Sequence, residues 1–356
     1  MNKSGVSSSA TCKQIEIFVF LMIAIDIPNE ILRKEYNKNL IFKFVLHDLG
    51  LGFENPNIML TFVVMKKLII TLFLTCLTLT GQSQTKWALV VGIGPYPQES
   101  GWNAIHGDND IELVCSFLSR IGANHQHIKV LKNEIATKQN IVSAFQWLSK
   151  HVAQNDWVYI HLSGHGQRIT DLDGDEDDCW DEAFIPYDAQ KKYSSAYHGE
   201  NHLIDDELNE WLTDLRNRIG ESGTLCIVLD ACHSGDGTRY EDKESDGTPE
   251  EYRRGTNDCF IIPAPTPLER GNRRPIDWLC LSACKSYESN YEYKINDQYF
   301  GRLSYAISRV ARPQMQTDEL IEALNTQYEL MPLARNRIQT LSVDVPPCYL
   351  ETPFVK

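Results

Sequence analysis

Two short apolar runs constrain this chain more than anything else in it, because each ends abruptly in a turn that carries a reactive side chain. W-V-Y-I-H-L at 157–162 stops at Ser163-Gly164-His165-Gly166, and T-L-C-I-V-L at 224–229 stops at Asp230-Ala231-Cys232-His233-Ser234-Gly235. Unbroken runs of β-branched and apolar residues suit strands covered on both faces, as in a parallel sheet. Similar runs stand at 86–93 (K-W-A-L-V-V-G-I), 127–131 and 277–282. Helical patterns alternate with them at 108–121, 140–151, 205–219, 302–310 and 318–331, the helix at 205–219 opening on acidic residues that suit its positive end. This alternation predicts an α/β fold with a mostly parallel central sheet flanked by helices. The tail, with Pro346, Pro347 and Pro353, reads as extended.

The segment 236–275 differs in kind. It carries Gly, Pro, alternating charge and the arginines Arg253, Arg254, Arg270, Arg273 and Arg274 without a period, and reads as a long exposed loop. The expected organisation is a large part at 84–240, the Arg-rich loop at 241–275, and a small part at 276–356 that completes the same domain.

Ahead of that domain, M-K-K-L-I-I-T-L-F-L-T-C-L-T-L-T-G-Q-S begins at Met65: two lysines, an apolar stretch from Leu68 to Leu79, then Gly81 and Ser83. This is the pattern of a secretory signal peptide at 65–83, cleaved after Ser83. The uncharged run falls short of the roughly twenty residues that a membrane span needs, and extending it upstream would bury Lys66 and Lys67. No integral span is expected in the mature chain. Residues 1–64 are then expected to be an extension ahead of the true start, or an unstructured leader. The implied location is periplasmic or secreted.

Composition excludes several partners. Of 356 residues, 34 are Lys or Arg against 48 Asp or Glu, a net charge of -14 without a basic block, so neither nucleic acid nor an anionic membrane surface is expected as a partner. Ten cysteines without a C-x-x-C pair do not suit a zinc ribbon or a thioredoxin-type centre. Apart from Cys232, core packing or disulfide pairing is expected for the cysteines of the mature chain. Likewise His106, His161 and His233 are expected to be surface or satisfied core groups.

In open parallel sheets ligands bind beyond the carboxyl ends of the strands, so His165 and Cys232 would face one crevice if their strands are neighbours. A thiol ionises more readily than a hydroxyl, and an imidazole can take its proton and return one to a leaving amine. Backbone amides of Gly166 and Cys232 could hold a developing oxyanion. The chemistry is acyl transfer to water through a thioester, that is, peptide hydrolysis.

S-G-H-G after one strand and D-x-C-H-S-G 67 residues later resemble the metacaspases, caspase-like cysteine peptidases. The likeness extends to D-E-A-F-I-P-Y-D, L-I-D-D-E-L, L-S-A-C-K-S-Y-E-S and F-G-R-L-S-Y-A, covering 86–240 and 276–331. It implies a caspase-like three-layer sandwich, His165 as general base and acid, and Cys232 as nucleophile. It implies an acidic substrate pocket at Asp230, Ser163 and Asp110, hence cleavage of protein or peptide substrates after Arg or Lys, since a carboxylate pairs with a cation and repels an acidic side chain. The segment around Asp110 departs from the family spacing by one residue. If the pocket takes Arg, then Arg253, Arg254, Arg270 or Arg274 becomes a self-cleavage candidate, though Pro275 disfavours the bond after Arg274.

Eight carboxylates crowd the twelve positions 171–182 (D-L-D-G-D-E-D-D-C-W-D-E), too much like charge without a cation or full solvation. The spacing is not that of an EF-hand. The resemblance implies Ca2+ held by Asp181, Asp205 and Asp206; the family's fourth acidic ligand meets Arg239 here, with Asp236 the nearest substitute. A solvated acidic loop is the competing reading. Two rivals to the whole assignment stay open at this point: a gingipain- or legumain-like peptidase of another specificity, and a catalytically silent caspase-like interaction module.

Overall fold

The apolar runs become neighbouring strands of a six-stranded sheet. The computed structural model describes residues 84–232, 252–263, 276–333 and 337–355. The expected signal peptide, the leader, Asp236, Arg239, Arg270, Arg273 and Arg274 lie outside the described residues. Strands β1 (Lys86–Gly92), β2 (Ile128–Lys132), β3 (Trp157–Ser163), β7 (Thr224–Asp230) and β8 (Leu279–Ser282) are parallel, and β11 (Ser342–Asp344) closes one edge antiparallel, in the order β11-β8-β7-β3-β1-β2. The helices are α1 (Asp110–Arg120), α2 (Lys138–His151), α3 (Asp205–Ile219), α4 (Arg302–Val310), α5 (Thr317–Glu329) and a short α6 (Pro347–Leu350).

Alternation along each strand feeds two cores. Leu89, Val91, Val158, Ile160, Leu225 and Ile227 point to one side, where they meet Ile141, Phe145 and Leu148 of α2 and Leu208, Leu212 and Leu215 of α3. Val90, Trp157, Tyr159, Cys226, Val228 and Leu281 point to the other, against Val114, Phe117 and Leu118 of α1, Leu303 and Ile307 of α4, and Leu320 and Leu324 of α5. The result is a three-layer, caspase-like α/β sandwich. Among the described residues no helix is long and apolar enough to cross a membrane.

Three features depart from the sequence reading. The tail is not wholly extended, because Pro347 sits at the first turn of α6, where its missing N–H costs nothing. A small antiparallel sheet forms from β4 (Gly166–Thr170), β5 (Trp180–Phe184) and β6 (Leu203–Ile204), and a hairpin from β9 (Glu292–Ile295) and β10 (Gln298–Gly301). Asn296 and Asp297, both at positive φ (48° and 66°), make the two-residue turn of that hairpin. Finally, 252–263 is not simply exposed loop. Phe260 is buried, bridges in parallel to Ile169 on β4, and its amide donates to the Arg168 carbonyl at 2.7 Å.

Candidate active site

The register of β3 against β7 sets Ser163 opposite Asp230. His165 and Cys232 each lie two residues beyond that rung, so the two turns leave the sheet at one level, as the neighbouring-strand condition required. Both side chains are buried, at 2% and 0% exposure. His165 Nε2 lies 2.9 Å from the Asn103 carbonyl oxygen. A carbonyl only accepts, so Nε2 carries the proton and Nδ1 is left as the basic nitrogen, without a hydrogen-bond partner among the described residues. Trp102 stacks on the ring at 4.8 Å, and the His165 amide donates to the Tyr96 hydroxyl at 3.1 Å. Burial lowers the His165 pKa to about 4, which keeps the imidazole neutral. The Cys232 thiol donates to the Glu288 carbonyl at 3.3 Å. The buried Cys284 thiol shares that carbonyl at 3.4 Å. Gly166 opens β4 opposite Phe184.

Ser163, Asp230 and Asp110 converge below this pair, and Arg254 occupies the space between them. Its Nη1 donates to Asp110 Oδ2 and to Ser163 Oγ, both at 2.7 Å, and lies 3.4 Å from Asp230 Oδ1. Its Nε and Nη2 both donate to Glu292 Oε1 at 3.0 Å. Each carboxylate is itself fixed. Asp110 accepts from the Gly301 amide (2.9 Å) and from Ser163 Oγ (2.5 Å). Asp230 accepts from the Ser304 amide and hydroxyl (2.7 and 2.6 Å) and from Asn290 Nδ2 (2.8 Å). Glu292 accepts from the His106 amide (2.8 Å) and meets His106 Nδ1 at 2.6 Å.

Three carboxylates around one guanidinium leave an excess of negative charge in a dry site. Burial pushes Asp110 up to about 6 against the pull of Arg254. Burial also pushes Asp230 and Glu292 upward, yet Arg254 holds both below the ordinary range. Arg254 was expected in an exposed loop, but it is fully buried, its charge matched by Asp110, Asp230 and Glu292.

The backbone of Arg254 is held as closely as its side chain. Its carbonyl oxygen accepts from the Cys232 amide at 2.8 Å, and its amide donates to the Asn290 carbonyl at 2.9 Å. Arg253 forms an antiparallel bridge with Tyr291. Gly255 lies so near that a Cβ there would be 2.8 Å from Cys232 Cβ. The segment is thus held by its backbone as well as its side chain, with the Arg254 guanidinium among the three carboxylates and Gly255 against Cys232.

Glu292, His106, Gly301, Asn290, Tyr96 and Trp102 were not singled out by sequence as parts of the site, and His106 is not a bland surface group. Gly301 lies in the motif F-G-R-L-S-Y-A, and any side chain there would run into Asp230 Oδ2 and Arg254 Nη1. That motif was the one available signal.

Among the described acidic residues, Asp171, Asp173 and Asp175 converge, as do Asp175, Asp181 and Asp206. Asp181 and Asp206 therefore meet with Asp175, and Asp205 lies near enough for its charge to act on Asp181. Asp205 opens α3, and its Oδ1 accepts from the Glu182 amide at 3.2 Å, next to Asp181 on β5. Asp181 is 4% exposed, and its Oδ1 has no hydrogen-bond partner among the described residues. Burial first, then the neighbouring carboxylates, push Asp181 up to about 8, Asp205 to about 7 and Asp206 to about 6.

A parallel α/β sandwich whose adjacent strands end in a buried His and a buried Cys, beside an acidic pocket, defines a caspase-like cysteine peptidase domain. Residues 86–239 match the family model described as "Metacaspase, peptidase C14 domain". The chain is 28% identical over 293 residues to Metacaspase-1 of Meyerozyma guilliermondii, a match covering 71% of this chain and 68% of that protein. It is 36% identical over 157 residues to Metacaspase-1B of Aspergillus fumigatus, across 42% of this chain and 35% of that protein. A crystal structure of a Geobacter sulfurreducens protein shares the fold at a TM-score of 0.52 and 17% identity, over 76% of this chain and 98% of that one. These matches, the family model over residues 86–239 first among them, support a metacaspase-like cysteine-type peptidase.

Proposed function

We propose that this chain is an endopeptidase that cuts after arginine or lysine, activated by calcium and processing itself at Arg254–Gly255. The observation that carries this reading is Arg254, whose guanidinium fills the acidic pocket while its carbonyl accepts from the Cys232 amide. The chain's own segment is held as a substrate would be.

In the proposed reaction the Cys232 thiol leaves the Glu288 carbonyl and passes its proton to His165 Nδ1. The sulfur attacks the carbonyl carbon of the residue in the pocket, and the Cys232 amide, with that of Gly166, holds the oxyanion. The C–N bond breaks, and His165 returns the proton to the leaving amine. Water, deprotonated by His165, then hydrolyses the thioester. The hydrogen bond from Nε2 to Asn103 keeps the imidazole in the tautomer this requires.

Calcium fits the acidic cluster by donor chemistry. Asp175, Asp181 and Asp206 offer only carboxylate oxygens, the hard ligands Ca2+ takes, and the orphaned Oδ1 of the buried Asp181 is a group that a cation would satisfy. When bound, the ion would neutralise the like charge that pushes these carboxyls up. Export follows from the same proposal, with the chain beginning at Gln84 after removal of 65–83; mass spectrometry of the product from a secreting host would read that terminus.

The test is hydrolysis of fluorogenic Arg, Lys and Asp peptides, with calcium or chelator, beside Cys232→Ala. Arg and Lys cleavage that needs calcium and disappears in the variant is expected. Cleavage after Asp, or cleavage retained by Cys232→Ala, would overturn the reading.

A further inference from the structure

The pocket has two walls, and they read different edges of the guanidinium. One wall is Asp110, Ser163 and Asp230, all on the Nη1 side. The other is Glu292, which takes both Nε and Nη2 on a single oxygen at 3.0 Å. Lysine ends in a compact ammonium and has no Nε–H along its stem. It can engage the Nη1 wall, but it cannot present a second edge to Glu292 at the same time. Glu292 is also not free to follow a shorter cation. Its Oε1 is held by the His106 amide at 2.8 Å and its Oε2 by His106 Nδ1 at 2.6 Å, and the imidazole is stacked on Tyr299 at 5.2 Å. The carboxylate is fixed by a residue 186 positions away in the chain, on the loop that leads into α1.

We propose that Glu292, clamped by His106, is the residue that makes this pocket prefer arginine to lysine. Glu292 touches the substrate side chain and is the specificity determinant; His106 acts through it and is a positioning residue. The inference rests on the proposed pocket and deepens it.

The experiment compares kcat/KM for matched Arg and Lys fluorogenic peptides on the full chain with calcium, for wild type, Glu292→Gln, Glu292→Asp and His106→Gln. Weakening Glu292 also loosens Arg254, which changes how much enzyme is open. The Arg-to-Lys ratio measured on one preparation cancels that effect, and turnover of the Lys peptide certifies that the variant is folded. Wild type is expected to prefer Arg. Glu292→Gln is expected to lose about ten- to a hundredfold on the Arg peptide, chiefly through KM, and much less on the Lys peptide, as suits losing a charge-assisted pair. Glu292→Asp and His106→Gln should lower the ratio in the same direction by less, so either keeps the test alive if Glu292→Gln does not fold. An Arg-to-Lys ratio unchanged in the Glu292 variants would overturn the role of Glu292, and one unchanged in His106→Gln alone would overturn the clamp. A wild type that cleaves other peptides but neither Arg nor Lys would instead remove the pocket reading, and this inference with it.

Discussion

The chain gathers carboxylates in two regions, one fully buried and one with Asp181 buried between partly exposed neighbours, and treats them oppositely. Below Cys232, Asp110, Asp230 and Glu292 surround the guanidinium of Arg254, and two of the three are held below their ordinary range. In the 171–182 segment and at the start of α3, Asp175, Asp181 and Asp206 converge, and Asp181 and Asp206 are pushed up to about 8 and about 6. Like charge in a poorly solvated site needs a cation or protons. The first region takes its cation from the chain, and the second is the one that, on our proposal, a cation from solution completes. On the proposed function, the difference separates a recognition pocket from a regulatory site.

The largest expected effect comes from emptying the first region. Arg254→Ala in the unprocessed Cys232→Ala background strands three carboxylates, and loss of one partner of a buried pair costs about 3–5 kcal/mol. Protonation relieves the stranded groups, so the loss in Tm should be larger near pH 8 than near pH 5. Equal loss at both pH values would mean that the carboxylates are not what Arg254 serves.

Next is Gly301→Ala, whose methyl group would meet Asp230 Oδ2 and the guanidinium. Arg-peptide hydrolysis should fall on the order of a hundredfold, because the cation is displaced from its carboxylates. The calcium-induced rise in Tm should be unaffected, since the two regions are separate. An unchanged kcat/KM would contradict the pocket.

A smaller effect follows from protons in the first region. A cationic substrate needs Asp110 ionised, and its pKa is raised to about 6, whereas that of His165 lies at about 4. KM for Arg peptides should therefore rise as pH falls below about 6, before the base is lost. An acid limb set instead near 4 would assign it to His165.

The smallest effect is in the second region. The carboxyls of Asp181, Asp205 and Asp206 titrate above their unfolded values, so the protonated form favours the fold, and this contribution is lost as pH rises through about 6 to about 8. With chelator, Tm should decline across that window; with calcium the decline should vanish. Asp181→Asn should flatten the chelator curve and remove the calcium response. A chelator curve already flat in wild type would assign the segment to solvent.

What could be read in advance follows physical lines. The sheet was legible because a parallel strand is apolar throughout, and His165 and Cys232 were legible because reactive residues interrupt such runs at glycines. The hairpin β9–β10 was not, since E-Y-K-I and Q-Y-F-G are half polar and no apolar run marks them, although Asn296-Asp297 was a turn signal. Arg254 read as exposed because a lone arginine in a polar loop is normally solvated. Its burial depends on carboxylates from α1, β7 and β9 meeting in space, which no local pattern encodes. For the same reason Asp175 was missed: sequence spacing cannot tell which of several aspartates converges with Asp181 and Asp206.

The central claim is that the Arg254 segment is bound as a substrate. Intact-mass analysis and N-terminal sequencing of active full-length protein incubated with calcium, beside Cys232→Ala, test it most directly. A new chain beginning Gly255-Thr256-Asn257, absent from the variant, is expected. Protein that hydrolyses Arg peptides yet leaves Arg254–Gly255 intact would contradict it.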